Sequence, residues 1–173
     1  GSILDDDPLP IIGADSPSAP EAGGSLVFTV SMDRASSSVV TVAYATSDGL
    51  VNPANAPGDY LAASGTLTFN PGVTSQTVTV TLNDDAVDEV DETLLLTLSL
   101  PVNAALGTNP GTGTILDDDK PVASIDDPSA NEGAGTLNYT VTLDQAPAVT
   151  VTVDYATSDG TASQPGDYTA TGG

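Results

Sequence analysis

The sequence repeats itself along the chain, and this repetition limits the folds available to it. The segment VTVAYATSDG at residues 40–49 recurs as VTVDYATSDG at residues 151–160, a spacing of 111 residues. The motif PGDY recurs at a spacing of 108, because the first copy carries a three-residue insertion near Asn52–Asn55. Self-similarity at a fixed period indicates an array built from one repeated structural unit. A chain of 173 residues holds about one and a half such units.

A second repeated motif marks where the units end. The motif ILDDD occurs at residues 3–7 and again at residues 115–119, where it closes a long strand-like region. We therefore interpret residues 8–119 as one complete unit and residues 1–7 as the last strand of a preceding unit. Residues 120–173 match only the first half of the complete unit and are interpreted as the first half of a following one. The chain is thus expected to be a window in a longer tandem array or filament, with neighbouring repeats or copies of itself as partners.

Apolar and polar residues alternate through most of the complete unit. In LVFTVSM at residues 26–32 every second residue is large and apolar, and the same period occurs in VTVTL at residues 78–82. A period of two is typical of strands with one buried face, and motifs rich in Gly, Pro, Asn and Asp separate these strands. About seven strands in a repeat of about 111 residues predict an all-β fold, a seven-stranded antiparallel Greek-key β-sandwich of immunoglobulin-like type.

The charge balance excludes several classes of partner. The chain has 24 acidic residues against 2 basic ones and no His, for a formal net charge of −22. Binding to nucleic acid or to an anionic membrane surface needs clustered Lys and Arg, so neither is expected.

No apolar run reaches the roughly 18 residues of a transmembrane helix, so membrane insertion is not expected. With few aromatic residues to line a cleft and few cations, we also expect no enzymatic activity.

Acidic residues concentrate where strands begin or end. Glu21 precedes a strand, Asp48 ends one, NDDAVDEVDE at residues 83–92 lies between two strands, and DDD at residues 117–119 ends the unit. Because successive antiparallel strands start and finish at opposite ends of a sandwich, strand parity brings these four positions to the same end. Converging carboxylates repel one another, and oxygen ligands without Cys or His favour Ca²⁺ over transition metals. The sequence predicts a Ca²⁺ site there. The alternative is a solvated acidic surface with Asp side chains capping turns.

These motifs together resemble the Calx-β domain family. The resemblance rests on YATSDG, PGDY followed by GTLTF, NDD followed by DET, and the closing ILDDD, and it extends over the whole chain. In this family Ca²⁺ ions bind at one end of the sandwich. The resemblance implies calcium ligands at Glu21, Asp48, Asp84, Asp85, Asp88, Glu92, Asp117, Asp118 and Asp119. It also implies partial sets in the neighbouring units, namely Asp5, Asp6 and Asp7 before and Glu132 and Asp159 after.

The sequence departs from the family pattern in one loop. Asn83 stands where some members carry a third consecutive Asp. The spacing of the loop also leaves Asp91 as an alternative to Glu92, and Glu89 as an alternative to Asp88.

The repeats and the resemblance suggest two main functions, beside a third in which these units form only the stalk of a ligand-binding adhesin. The first is a calcium-binding structural module of an extracellular tandem-repeat protein, such as an adhesin, a matrix protein or a filament. In that case Ca²⁺ at residues 117–119 would rigidify the joint to the next unit, and we expect a bacterial source and an extracellular or cell-surface location. The alternative is a Ca²⁺-sensing regulatory domain of a transporter or signalling protein.

Overall fold

The structure is a computed structural model that describes residue 1 and residues 8–173, and it contains two compact units. Unit 1 comprises Gly1–Ala86 and Val90–Asp119, and unit 2 comprises Val87–Glu89 and Lys120–Gly173. The interpretation of residues 1–7 as a strand of a preceding unit, with Asp5, Asp6 and Asp7, lies outside the described residues apart from residue 1. Within the described part of the chain, no helix combines the length and the apolar character needed to cross a membrane.

Unit 1 is built from two β-sheets that enclose an apolar core, which confirms the predicted all-β sandwich. Its strands are β1 Ile11–Ala14, β2 Ser18–Pro20, β3 Ser25–Met32, β4 Val40–Asp48, β5 Ser64–Phe69, β6 Ser75–Thr81, β7 Glu92–Val102, β8 Ala105–Leu106 and β9 Gly111–Leu116. One sheet has the order β6-β3-β1-β8 and the other has the order β2-β9-β7-β4-β5. A single-turn 3₁₀ helix, Glu21–Gly23, follows β2.

The first extended segment contributes to both sheets. It is divided at Ser16 and Pro17, so that β1 joins one sheet and β2 joins the other. Proline has no backbone N–H to donate to a ladder, which makes it a natural place for the chain to leave a sheet. As a result β1 pairs in parallel with β8, and β2 pairs in parallel with β9. The other strand pairs of unit 1 are antiparallel, as the sequence pattern predicts.

The core lies between the two sheets and follows the alternation seen in the sequence. Leu26, Phe28 and Val30 of β3 are buried, as are the alternate leucines of β7 from Leu94 to Leu98. Burying such a side chain contributes roughly 1.5–3 kcal/mol to folding. Gly113 of β9 gives these side chains room, because a Cβ atom there would lie 2.3 Å from Leu26 Cδ2 and 2.7 Å from Phe28 Cζ.

The strand register gathers the acidic segments of unit 1 at one end of the sandwich. At this end Asp48 pairs with Leu94, and Glu92 pairs with Ile115. At the same end Pro20 pairs with Leu116, and Ser25 pairs with Thr81. The residues just beyond these pairs include the acidic segments around residues 21, 84–85 and 117–119. We call this end the acidic pole, defined by Glu21, Asp48, Asp84, Asp85 and Asp117–Asp119.

Unit 2 repeats the local structure of unit 1. Its strands are β10 Ala123–Ile125 and β11 Val141–Leu143, and its 3₁₀ helix is Glu132–Ala134. The pairing of Ala123 with Leu143 reproduces that of Ile12 with Met32, displaced by 111 residues in both strands. The apolar positions differ in burial, since Tyr139 is 52% exposed whereas its counterpart Phe28 is 0% exposed. The sequence of unit 2 contains no counterparts of β6, which pairs with β3 at Phe28 in unit 1, and of β9, whose Gly113 lies against the Phe28 ring.

Candidate metal centre

Three carboxylates at the acidic pole lie close enough to share a metal ion. One ligand oxygen from each of Glu21, Asp117 and Asp119 lies within 4.8 Å of the others. The parallel pairing of β2 with β9 explains this arrangement, because it ends at Pro20 and Leu116 and leaves the next residue of each strand side by side. Glu21 is only 4% exposed, which is unusual for a glutamate.

Hydrogen bonds to the backbone fix the segments that carry these carboxylates. The N–H of Gly24 donates to the carbonyl oxygen of Glu21 at 3.1 Å, and Gly24 has the φ of 68° that closes this turn. The N–H of Ala22 donates to Oδ1 of Asp118 at 3.3 Å. The N–H of Asp117 donates to Oδ1 of Asp91 at 3.2 Å. Asp118 therefore binds the backbone of the 3₁₀ turn, while its two neighbours contribute to the carboxylate cluster.

The acidic pole is under electrostatic strain. Burial raises the pKa of the Asp119 carboxyl, and the negative charges of Asp118, Asp84, Asp117 and Asp85 raise that pKa further. The Oδ2 atom of Asp119 is buried. Asp84 and Asp85 thus act on the cluster through their charge, as expected for residues that follow β6 at this end. A cation at the cluster would favour the ionised form of Asp119.

The spacing and the ligand type of the cluster are compatible with Ca²⁺. Two oxygen atoms bound to one Ca²⁺ at roughly 2.3–2.6 Å can be no more than about 5 Å apart, so a spread within 4.8 Å is compatible with a shared ion. All the side-chain donors are carboxylate oxygens, and the chain has no Cys or His for a transition metal. Because Ca²⁺ takes about 6–8 oxygen ligands, these three carboxylates would form part of a coordination shell.

Asp48 lies at the acidic pole but outside the three-carboxylate cluster. Its Oδ1 accepts hydrogen bonds from the Tyr60 hydroxyl at 2.9 Å and from the N–H of Ala56 at 3.3 Å. Tyr60 is buried, and this burial together with the hydrogen bond to Asp48 raises the pKa of its hydroxyl. In unit 2 Asp159 accepts the equivalent bond from Tyr168 at 2.7 Å.

Asp88 also lies outside the cluster and belongs to unit 2. Its side chain is 1% exposed, and Oδ1 forms an ion pair with Lys120 at 3.5 Å. Its Oδ2 accepts the N–H of Ala148 at 2.7 Å. Among the other proposed ligands, Glu92 is the half-buried first residue of β7, and Glu132 begins the second 3₁₀ helix with an exposed side chain.

The structure also reveals the contacts of two residues near the pole to which the sequence interpretation assigned no role at the site. The Asn83 side-chain amide donates to the carbonyl oxygens of Pro57 at 2.6 Å and of Gly58 at 2.7 Å. Tyr60 binds Asp48, as described above. The recurrence of PGDY in both units was the available signal for Tyr60. For Asn83 the signal was the amide standing next to two aspartates.

The sequence model of the Calx-beta domain family matches residues 5–119 and again residues 117–173. The chain belongs to the Calx-beta domain family. It is 30% identical over 167 residues to sodium/calcium exchanger 1 of Rattus norvegicus, an alignment that covers 84% of this chain and 16% of the exchanger. It is 31% identical over 123 residues to the extracellular matrix organizing protein FRAS1 of Mus musculus, covering 68% of this chain and 3% of that protein.

Solved structures of Calx-beta domains share the fold. The calcium binding domain CBD12 of CALX1.1 superimposes with a TM-score of 0.59 and 29% sequence identity, over 67% of this chain and 50% of that one. The resemblance to Calx-β domains is therefore confirmed. The chain spans only a small part of the two relatives, one an ion exchanger and the other a matrix protein, both from mammals. The bacterial source and the extracellular or cell-surface location stay predictions.

Proposed function

We propose that this Calx-beta chain binds Ca²⁺ through Glu21, Asp117 and Asp119 and serves as a calcium-responsive regulatory module of a larger protein. The observation that carries the proposal is the convergence of these three carboxylates within 4.8 Å, with Glu21 buried. The calcium binding domain of CALX1.1, a relative in fold and sequence, supports the choice of ion. A bound Ca²⁺ would supply positive charge that offsets the repulsion among the carboxylates.

The response to calcium follows from where the three residues sit in unit 1. Glu21 follows β2, and Asp117 and Asp119 follow β9, the last strand of unit 1. An ion held by all three would link the ends of two strands that are hydrogen-bonded neighbours. Without the ion, the burial of Glu21 and the burial and like charges that raise the pKa of Asp119 destabilise the folded arrangement of this end of unit 1. Calcium would therefore control the order of the segment that ends at Asp119.

The alternative is the structural module of an extracellular tandem array. It is favoured by the pairing register that recurs at 111 residues, and by the alignment with the matrix protein FRAS1. The regulatory role is better supported, because the exchanger alignments cover 84% of the chain and the FRAS1 alignment covers 68%. Both roles are binding roles, and we propose no catalytic function.

Calorimetric titration of the calcium-free chain with CaCl₂ tests the proposal and separates the two roles. Sensor sites have dissociation constants of about 10⁻⁷–10⁻⁵ M, whereas extracellular modules bind at about 10⁻⁴–10⁻³ M. A regulatory module predicts the tighter range in physiological salt, and the array predicts the weaker one. The variant Glu21→Gln should bind much more weakly, and the matched control Asp33→Asn, near the opposite end of β3, should bind normally. Absence of saturable binding by the wild-type chain would contradict both roles.

A further inference from the structure

Asn83 joins two loops at the acidic pole. Its side-chain NH₂ donates to two carbonyl oxygens in the loop after β4, those of Pro57 and Gly58, at 2.6 and 2.7 Å. Its backbone N–H donates to the carbonyl oxygen of Asp59 at 2.9 Å. Three hydrogen bonds thus tie the segment that carries Asp84 and Asp85 to residues 57–59.

The same loop also holds the carboxylate of Asp48. The buried hydroxyl of Tyr60 donates to Oδ1 of Asp48 at 2.9 Å, and the N–H of Ala56 donates to that oxygen at 3.3 Å. Tyr60 is 1% exposed and forms a β-bridge with Leu82, directly before Asn83. Residues 56–60 therefore contact Asp48 on one side and the 82–83 segment on the other.

The link between Tyr60 and Asp48 recurs in unit 2. There the Tyr168 hydroxyl donates to Oδ1 of Asp159 at 2.7 Å, and the N–H of Gln164 donates to it at 3.1 Å. In each unit, the corresponding tyrosine hydroxyl and backbone N–H therefore donate to Oδ1 of the corresponding aspartate. In both units these hydrogen bonds hold Oδ1 of the aspartate against the loop, and this fixes the direction in which Oδ2 points.

We propose that Asn83 and Tyr60 are positioning residues that align Asp48, Asp84 and Asp85 for cation binding at the acidic pole. This inference rests on the calcium-binding function proposed above. The Asn83 amide suits this position because its NH₂ group has two N–H donors, one for each carbonyl oxygen, whereas an ionised carboxylate has none. An aspartate there would place a negative oxygen against those two carbonyls and beside two further carboxylates. The asparagine thus holds the loop of residues 57–59 against the segment that carries Asp84 and Asp85.

The substitution Asn83→Asp distinguishes two roles of position 83, a residue that positions the loops and a metal-ligand position that has lost its carboxylate. If position 83 serves to hold the loops, the variant should bind Ca²⁺ about 10-fold to 100-fold more weakly, as when a residue that orients a metal ligand is lost. If position 83 is a ligand site that this chain lacks, the added carboxylate should leave binding unchanged or strengthen it. Asn70→Asp, in the exposed turn between β5 and β6, adds the same charge away from the pole and should bind like the wild type.

Affinity must be measured by calorimetry at a temperature where circular dichroism shows each variant folded, together with its melting temperature in chelator. A positioning role predicts weaker binding by folded Asn83→Asp. A lower melting temperature with unchanged affinity would mean a purely structural role and would overturn the inference. Tyr60→Phe keeps the buried ring and removes only the hydroxyl, so it provides the test if Asn83→Asp does not fold, with weaker binding again expected. If the wild type binds Ca²⁺ and both variants bind it equally well, only the positioning role is refuted. If the wild type does not bind Ca²⁺, the proposed function is refuted and the positioning role with it.

Discussion

Replacing Glu21 by glutamine should change stability in opposite directions with and without calcium. Glu21 is buried, and its carboxylate oxygen lies within 4.8 Å of that of Asp117. Two like charges at this separation repel by about 1 kcal/mol in bulk water and by about 3.5 kcal/mol at an effective dielectric constant of 20. Glutamine keeps the shape of the side chain and removes this repulsion. One kcal/mol shifts the melting temperature of a domain of this size by roughly 4 °C, so calcium-free Glu21→Gln should melt at least a few degrees higher than the wild type.

In calcium the order of the two melting temperatures should reverse. A ligand at 1,000 times its dissociation constant stabilises the folded state by about 4.1 kcal/mol, which exceeds the repulsion that the substitution removes, and the variant should lose nearly all of this gain. Thermal melts followed by circular dichroism, in EGTA and in excess CaCl₂, measure both effects on the same protein. A Glu21→Gln variant that melts below the wild type by the same amount in both buffers would refute the reasoning, since it would indicate lost packing without electrostatic relief or ion binding.

Three further outcomes are expected. Changing Asp117–Asp119 together to asparagine should abolish the rise in melting temperature with calcium, whereas Asp33→Asn should leave that rise intact. Because the pKa of Asp119 is raised in the folded state, its proton is bound more tightly there than in the unfolded chain. Its contribution to the stability of the calcium-free protein should therefore increase as pH falls from 7 through that raised pKa, and Asp119→Asn should flatten this dependence in melts at graded pH. Gly113→Ala should lower the free energy of unfolding by about 1–3 kcal/mol in urea titrations, with or without calcium, because its methyl group would meet Leu26 and Phe28.

The sandwich and its acidic pole could be predicted because alternation and strand parity carry that information. Every second residue from Leu26 to Val30 is buried as its position in the pattern requires. The acidic segments meet at one end because each follows or precedes a strand of the correct direction. The division of the first segment into β1 and β2, and their parallel pairing with β8 and β9, could not be predicted. The alternation of apolar and polar residues shows which face of a strand is buried, but it does not show which strand lies beside it.

The partners of individual carboxylates could be predicted less well, since they depend on contacts distant in sequence. Asp48 and Asp88 carry the same functional group as Asp117 and occur in comparable loops. In the structure Asp48 accepts a hydrogen bond from Tyr60, 12 residues away, and Asp88 accepts one from Lys120, 32 residues away. Composition and spacing identify a set of acidic residues near the pole. Only the packing of the loops decides which of them share a site.

The most direct test of the account is a crystal structure of the chain grown with CaCl₂, with data collected to locate calcium by its anomalous scattering. We expect an anomalous peak at the acidic pole, with carboxylate oxygens of Glu21, Asp117 and Asp119 at about 2.3–2.6 Å from the ion. Calcium bound elsewhere in unit 1, with these three side chains contacting only water, would contradict it.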